Sequence, residues 1–240
     1  MFIKKNGGLP AYMAFSLLLI LSALVIRQIF APVSTVDSYK DAATIVRRRL
    51  IIDAGHGGKD GGAVSVTGTQ EKQLNLDISL TLCEMLHALG YEVILTRDND
   101  IELTHTDGGT RKMQDLLGRL KISRDNPDAV FVSIHMNKFP QEKYSGLQVY
   151  YSQNDESSFE LAQKIQNNVK TYIQQENNRK VKKADSSIFL LHRITSPAIL
   201  IECGFLSNAV ESSLLDTVEY RTKLSAVIAC TITNWYQHKS

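Results

Sequence analysis

Leu50-Ile51-Ile52-Asp53-Ala54-Gly55-His56-Gly57-Gly58-Lys59-Asp60-Gly61-Gly62 is the stretch from which the rest of the chain is read. A β-branched run ends in an acid and passes at once into five glycines spread around a single histidine. Buried strands of α/β sheets end in this way. The loop beyond a strand's carboxyl end is the usual ligand site of such sheets. The glycines permit positive φ and close approach of the backbone, at a cost in chain entropy. They could suit a phosphate, but the loop lacks the Lys-Ser or Lys-Thr pair of a P-loop. From the middle of the loop His56 can reach a ligand or a metal.

Downstream, Thr69-Gln70-Glu71-Lys72 leads into a helix with Leu74, Ile78, Leu82, Met85, Leu86 and Leu89 at spacings of three and four, closed by Gly90. Tyr91 to Thr96 reads as a second strand, so the first three elements make a βαβ unit and call for a parallel sheet. A polar loop, Thr104 to Thr110, precedes a second helix that Asn126-Pro127 stops. Ala129 to Ile134 is the third strand and runs into His135-Met136-Asn137. Gly146 to Tyr151 alternates as a fourth strand towards an edge. Phe159 to Ile173 is an amphipathic helix, and the basic, Asn- and Gln-rich Gln174 to Lys183 reads as a solvated connection. Ile188 to Leu191 is a short strand. Ala198 to Ile201 is apolar throughout, hence central, and runs into Glu202-Cys203-Gly204. Asn208 is a good helix cap, and Leu224 to Tyr236 is a last helix. The expected fold is α/β: a single three-layer domain, 49–238, with a mostly parallel, mixed twisted sheet of about six strands flanked by helices.

Upstream, Lys4 and Lys5 precede an uncharged run from Gly7 to Ile26. Twenty helical residues span roughly 30 Å, enough to cross a bilayer. Residues 1–31 are expected to be a membrane anchor or a secretory signal, and the lack of a small-x-small cleavage site favours an uncleaved anchor. Residues 32–48 read as a linker. The domain is then exported, to the extracytoplasmic side of the membrane or the cell wall. Across 240 residues, Lys+Arg of 27 against Asp+Glu of 25 leaves no field that would attract nucleic acid. Three cysteines, Cys83, Cys203 and Cys230, form no CxxC pair and suggest no disulfide framework. Cys83 and Cys230 fall in apolar helical patterns and are expected to be buried.

Three apolar strands thus run into His56, His135 and Glu202, and the helix start after the first delivers Glu71. In a parallel sheet those strand ends share one edge, so the four side chains can converge. Two neutral imidazoles and a carboxylate form a three-ligand zinc set with a fourth position left for water. A second carboxylate beside that water meets the needs of metal-assisted hydrolysis. The plainer readings are a turn histidine and a helix-capping glutamate. Against them stands Glu202, on the most hydrophobic strand, where an unpaired charge is costly. His87, His192 and His238 read as surface or structural residues; His105 could flank the site.

Four blocks, Ile52-Asp53-Ala54-Gly55-His56-Gly57-Gly58, the Glu71 helix start, Ser133-Ile134-His135-Met136-Asn137 and Glu202-Cys203-Gly204-Phe205-Leu206-Ser207-Asn208, resemble the signatures of the zinc-dependent N-acetylmuramoyl-L-alanine amidases. The short chain without wall-binding repeats and the Asp107 to Arg124 region look most like the germination-specific CwlD-type amidases of spore formers. The resemblance implies one Zn2+ held by His56, Glu71 and His135, with Glu202 as catalytic base and acid. It implies peptidoglycan as substrate, cut between N-acetylmuramic acid and L-alanine of the stem peptide. In spores the same cut would prepare the cortex for muramic lactam formation and germination. Cys203 departs from the usual small or aliphatic residue, and alternation should turn it away from the site. Arg97 and Asn137 are candidates for holding substrate; Arg97 could equally pair with Asp98 or Asp100. A solvated, glycine-rich metal loop could bind zinc weakly, which makes an accessory envelope protein a candidate partner. The rival readings are a non-catalytic peptidoglycan-binding scaffold and a zinc peptidase or deacetylase acting on another wall bond.

Overall fold

The computed structural model describes residues 48–104 and 109–238. The expected anchor 1–31, the linker as far as residue 47, and His105 and Asp107 lie outside the described residues. Among the described residues no helix is long and apolar enough to cross a membrane.

Six strands of the described residues form one sheet: β1 (Arg49–Ala54), β2 (Glu92–Leu95), β3 (Val130–Asn137), β4 (Gln148–Tyr151), β5 (Lys182–Lys183) and β6 (Ala198–Phe205), in the order β2-β1-β3-β6-β4-β5. β2, β1, β3 and β6 are parallel; β4 runs antiparallel to β6, and β5 is parallel to β4. The helices are α1 (Glu71–Ala88), α2 (Arg111–Asp125), α3 (Ser157–Tyr172), α4 (Phe189–Arg193), α5 (Ala209–Leu215) and α6 (Val218–Gln237).

Period-two alternation sorts the strands onto two faces. Leu50, Ile52, Val132, Ile134, Ile199, Ile201 and Cys203 join one core with Leu74, Ile78 and Leu82 of α1, Leu161 and Ile165 of α3, and Leu224, Ile228 and Trp235 of α6. Burying each such side chain contributes about 1.5–3 kcal/mol relative to exposure. Ile51, Phe131 and Ala198 join a smaller core on the opposite face, with Leu120 of α2 and Leu190 and Leu191 of α4. The central strands are covered on both sides, which explains their near-continuous apolar sequence.

The α/β architecture, the parallel centre and the strand count match the sequence expectation. Two elements differ. Ile188 to Leu191 is not a strand: Phe189–Arg193 is a short helix, with Leu190 and Leu191 packed onto the sheet. The segment expected to be a plain connection instead supplies edge strand β5. A run as short as Ile188 to Leu191 carries too little periodicity to separate strand from helix. Two cysteines also differ from expectation, since Cys230 is exposed and Cys83 only half-buried. Both helices are sided, and a cysteine in an apolar-looking stretch can still fall on the outer side.

Candidate metal centre and active site

β1 ends at Ala54, and the chain turns out of the sheet through Gly55 and His56. His56 takes φ 61°, a left-handed conformation uncommon for a residue with a side chain, of order 1 kcal/mol in cost. Two glycines make the turn feasible. A Cβ on Gly55 would lie 2.2 Å from His135 Nε2, so the imidazole stands directly on bare backbone. A Cβ on Gly62, φ 65°, would meet Glu71 Oε2 at 2.6 Å and His56 Cδ2 at 2.8 Å. The glycines therefore let the loop close around the two histidines and the glutamate.

The three donors converge. Single ligand atoms of His56, Glu71 and His135 all lie within 4.8 Å of one another. Glu71 Oε1 stands 3.3 Å from His56 Nε2 and 3.0 Å from His135 Nδ1. Supporting contacts set each donor. Asp60 Oδ2 lies 2.9 Å from His56 Nδ1, the outer carboxylate–histidine arrangement that orients a ligating imidazole. Glu71 accepts from the backbone N–H of Met136 at 3.0 Å and of Ala63 at 2.9 Å. Although burial opposes the charge, His135 and His56 hold the Glu71 carboxyl far below its ordinary range. Burial would also lower the pKa of His56, but Glu71 and Asp60 outweigh it and raise it to about 9. This is a compact, anionic N,N,O donor set, and its chemistry suits a small divalent cation.

Glu202 is the register partner of His135, side by side across β3 and β6. Both strands run past these residues rather than ending at them, and a register shift follows His135. Burial, reinforced by Glu71, pushes the Glu202 carboxyl up to about 7 against the pull of His135, His56 and Arg179. Its Oε2 is buried with no hydrogen-bond partner among the described residues. Glu202, His56 and His135 border a common cavity of about 260 Å³, whose apolar wall includes Leu116, Ile188, Leu191 and Leu200.

Arg97 is not available to substrate. It is 2% exposed, and its guanidinium donates to the carbonyls of Ala54, Gly55, Lys72 and Asn99 at 2.8–3.1 Å. Nor does it pair with Asp100, which binds Lys72 Nζ at 2.6 Å. Arg97 instead pins the loop that carries His56. Asn137 is half-buried and lines a second cavity with Tyr144 and Phe205. Cys203 lies in the core on the face opposite Glu202, its thiol pushed up by burial, and is no fourth ligand. His87, His192 and His238 are exposed.

Sequence reasoning missed the network beneath the site. Asp53, fully buried, accepts from Ser133 Oγ at 2.5 Å, Thr96 Oγ1 at 2.8 Å and Arg119 Nη1 at 2.5 Å. Despite burial, Arg119 and Ser133 keep the Asp53 carboxyl below its usual range. Arg119 reaches on to the carbonyls of Ala54 at 2.8 Å and His56 at 2.7 Å, with Asp115 closing its outer side. An acid within an apolar strand signals a buried partner. Nothing local says that the partner sits on α2.

A family model described as N-acetylmuramoyl-L-alanine amidase matches residues 50–234. The germination-specific N-acetylmuramoyl-L-alanine amidase of Bacillus subtilis is 33% identical, over 85% of this chain and 86% of the relative. The CwlD amidase of Clostridioides difficile, solved in complex with the GerS lipoprotein, superposes with a TM-score of 0.75 at 39% identity, covering 79% of this chain and 98% of that one. The amidase AmiC2 of Nostoc punctiforme superposes at 0.70 and 30% identity, covering 80% and 98%.

Proposed function

From the premise that the chain belongs to the N-acetylmuramoyl-L-alanine amidase family, we propose a zinc mechanism in which His56, Glu71 and His135 hold the ion and Glu202 carries the proton. The enzyme itself is an N-acetylmuramoyl-L-alanine amidase, a peptidoglycan hydrolase that separates stem peptide from glycan. The observation that carries the mechanism is the Glu202 carboxylate beside the three-donor cluster, with one buried oxygen still unpaired.

When bound, zinc supplies Lewis acidity that lowers the pKa of a water and polarises the scissile carbonyl. The remaining work falls to the chain. Asp60 fixes which imidazole nitrogen of His56 faces the donor cluster. Glu71, tied to the Met136 and Ala63 amides, keeps its charge and its position. Burial pushes the Glu202 carboxyl above the usual carboxylate range, which makes it a better proton acceptor than an exposed glutamate. It can take the proton from the attacking water and return it to the departing alanine amine. The apolar wall of Leu116, Leu191 and Leu200 limits water around that transfer.

The proposed setting is the spore cortex, where cleavage bares muramic acid for conversion to muramic lactam. The germination-specific relative supports this reading. The neighbour solved in complex with a lipoprotein supports a second element, an accessory envelope protein bound on the extracytoplasmic side.

Digestion of purified peptidoglycan followed by mass spectrometry tests the chemistry. Wild type should release intact stem peptides. Glu202→Ala should lose about 10²–10⁴-fold in rate while retaining its zinc, measured by elemental analysis. Full activity in that variant would remove Glu202 from the mechanism.

A further inference from the structure

The basic segment between α3 and α4 folds back beside the active site. Asn177 is buried and donates to the Leu147 carbonyl at 2.9 Å, and the Arg179 backbone N–H donates to Asn177 Oδ1 at 2.9 Å. Gln148 Nε2 donates to the Lys180 carbonyl at 2.8 Å, and β5 then pairs with β4. These bonds deliver Arg179 and Lys182 to the face of the sheet that carries Glu202. Gln148 is the register partner of Glu202 on β4, and Tyr150 follows on the same face. Arg179 donates to Gln148 Oε1 at 2.8 Å, and its guanidinium lies 4.6 Å from the Phe205 ring centre. The Lys182 ammonium lies 5.8 Å from the Tyr150 ring centre. Arg179, Lys182, Tyr150 and Phe205, with Asn137 and Tyr144, line a groove of about 300 Å³, and Tyr150 shares the sheet face that carries Glu202.

The cations there are not consumed by the fold. Among the described residues the Arg179 side chain makes one hydrogen bond, from Nη2 to Gln148, and its Nη1 makes no hydrogen bond or ion pair. Glu202 and Glu211 feel the Arg179 charge, but neither forms an ion pair with it among the described residues. Glu211 is already bonded to the amides of Gly146 and Phe205. A guanidinium steadied on an aromatic ring, with donor capacity to spare, matches a carboxylate. Of the two halves of the substrate, the N-acetylated glycan is uncharged, whereas the stem peptide carries free carboxylates.

We propose that the groove walled by Arg179, Lys182, Tyr150 and Phe205 is the subsite for the carboxylates of the stem peptide. It orients the peptide side of the scissile amide over Glu202, so the inference rests on the reading of Glu202 and the three donors as the catalytic centre.

The test measures binding of a muramoyl tripeptide with free carboxylates, and of the same molecule with those groups converted to carboxamides, to the full zinc-loaded chain carrying Glu202→Gln. The free acid should bind about tenfold more tightly at low salt, as one charge-assisted contact allows, and added salt should shrink the preference. Arg179→Gln in that background should abolish the preference, and Arg179→Lys should keep part of it. Lys182→Gln, a change at an exposed position, should lower it about two- to threefold. Equal binding of acid and carboxamide, or a preference unaltered by Arg179→Gln, would overturn the subsite. Undiminished hydrolysis by Glu202→Gln would instead overturn the catalytic reading beneath it.

Discussion

Along the same strands, one face of the sheet carries Ile52, Val132, Ile134, Ile201 and Cys203, while the other carries Asp53, Ser133, His135 and Glu202. The first set meets α1, α3 and α6 in a largely apolar core. The second meets α2 and α4 across a network of buried charges and a cavity. The first face is stabilising residue by residue. The second is costly unless each charge finds a partner. Asp53 has three side-chain partners, and its carboxyl stays charged. Glu202, one strand over from His135, keeps an oxygen unpaired, and its carboxyl is pushed up to about 7. The polar face therefore divides into a satisfied half that holds the loop and an unsatisfied half that is free to exchange a proton.

The largest stability effect that would break this contrast comes from Arg119. Arg119→Met leaves Asp53 charged and buried without its cation, and removes the anchor on the His56 carbonyl. Urea unfolding should show a loss of about 3–5 kcal/mol, with weaker zinc affinity in a chelator competition. A loss below about 1 kcal/mol would mean that the satisfied half is not held by this pair.

Glu202→Gln sharpens the contrast next. In the folded protein Glu202 keeps its proton up to about pH 7, against an ordinary value of 4.5. The folded state thus binds the proton more strongly, and stability falls as pH rises from about 4.5 to 7 and stays lowered above that window. Gln has no charge to bury. In metal-free protein the substitution should therefore stabilise by about 3 kcal/mol more at pH 8 than at pH 4, read from unfolding curves in chelator. An equal effect at both pH values would show that Glu202 is not strained by burial.

Ile201→Val, one residue away but on the apolar face, should be the mildest. It removes one methylene from a fully buried site and should cost about 1 kcal/mol, with zinc content and rate unchanged. A loss of zinc there would mean that the two faces are coupled through β6.

Most of the order of elements, the parallel centre of the sheet and the juxtaposition of His56, Glu71, His135 and Glu202 follow from local signals. Those signals are apolar runs that stop at glycine, helical spacing after Glu71, and ionisable residues that follow an apolar run. Each is written within a window of about ten to eighteen residues. What is absent from such windows is which distant group satisfies which. Arg97 and Arg119 are both arginines in polar surroundings in the chain, yet both are buried beneath the loop, bonded to carbonyls at positions 54–56 across separations of 42–65 residues. Arg179 lies in a run that reads as solvated surface, and only its bond to Gln148 of β4 and its place on Phe205 bring it to the face of the sheet that carries Glu202. A side chain's residue type is a property of its position in the chain. Whether its charge is spent on the fold or left for a substrate is a property of the neighbours that tertiary packing assigns to it.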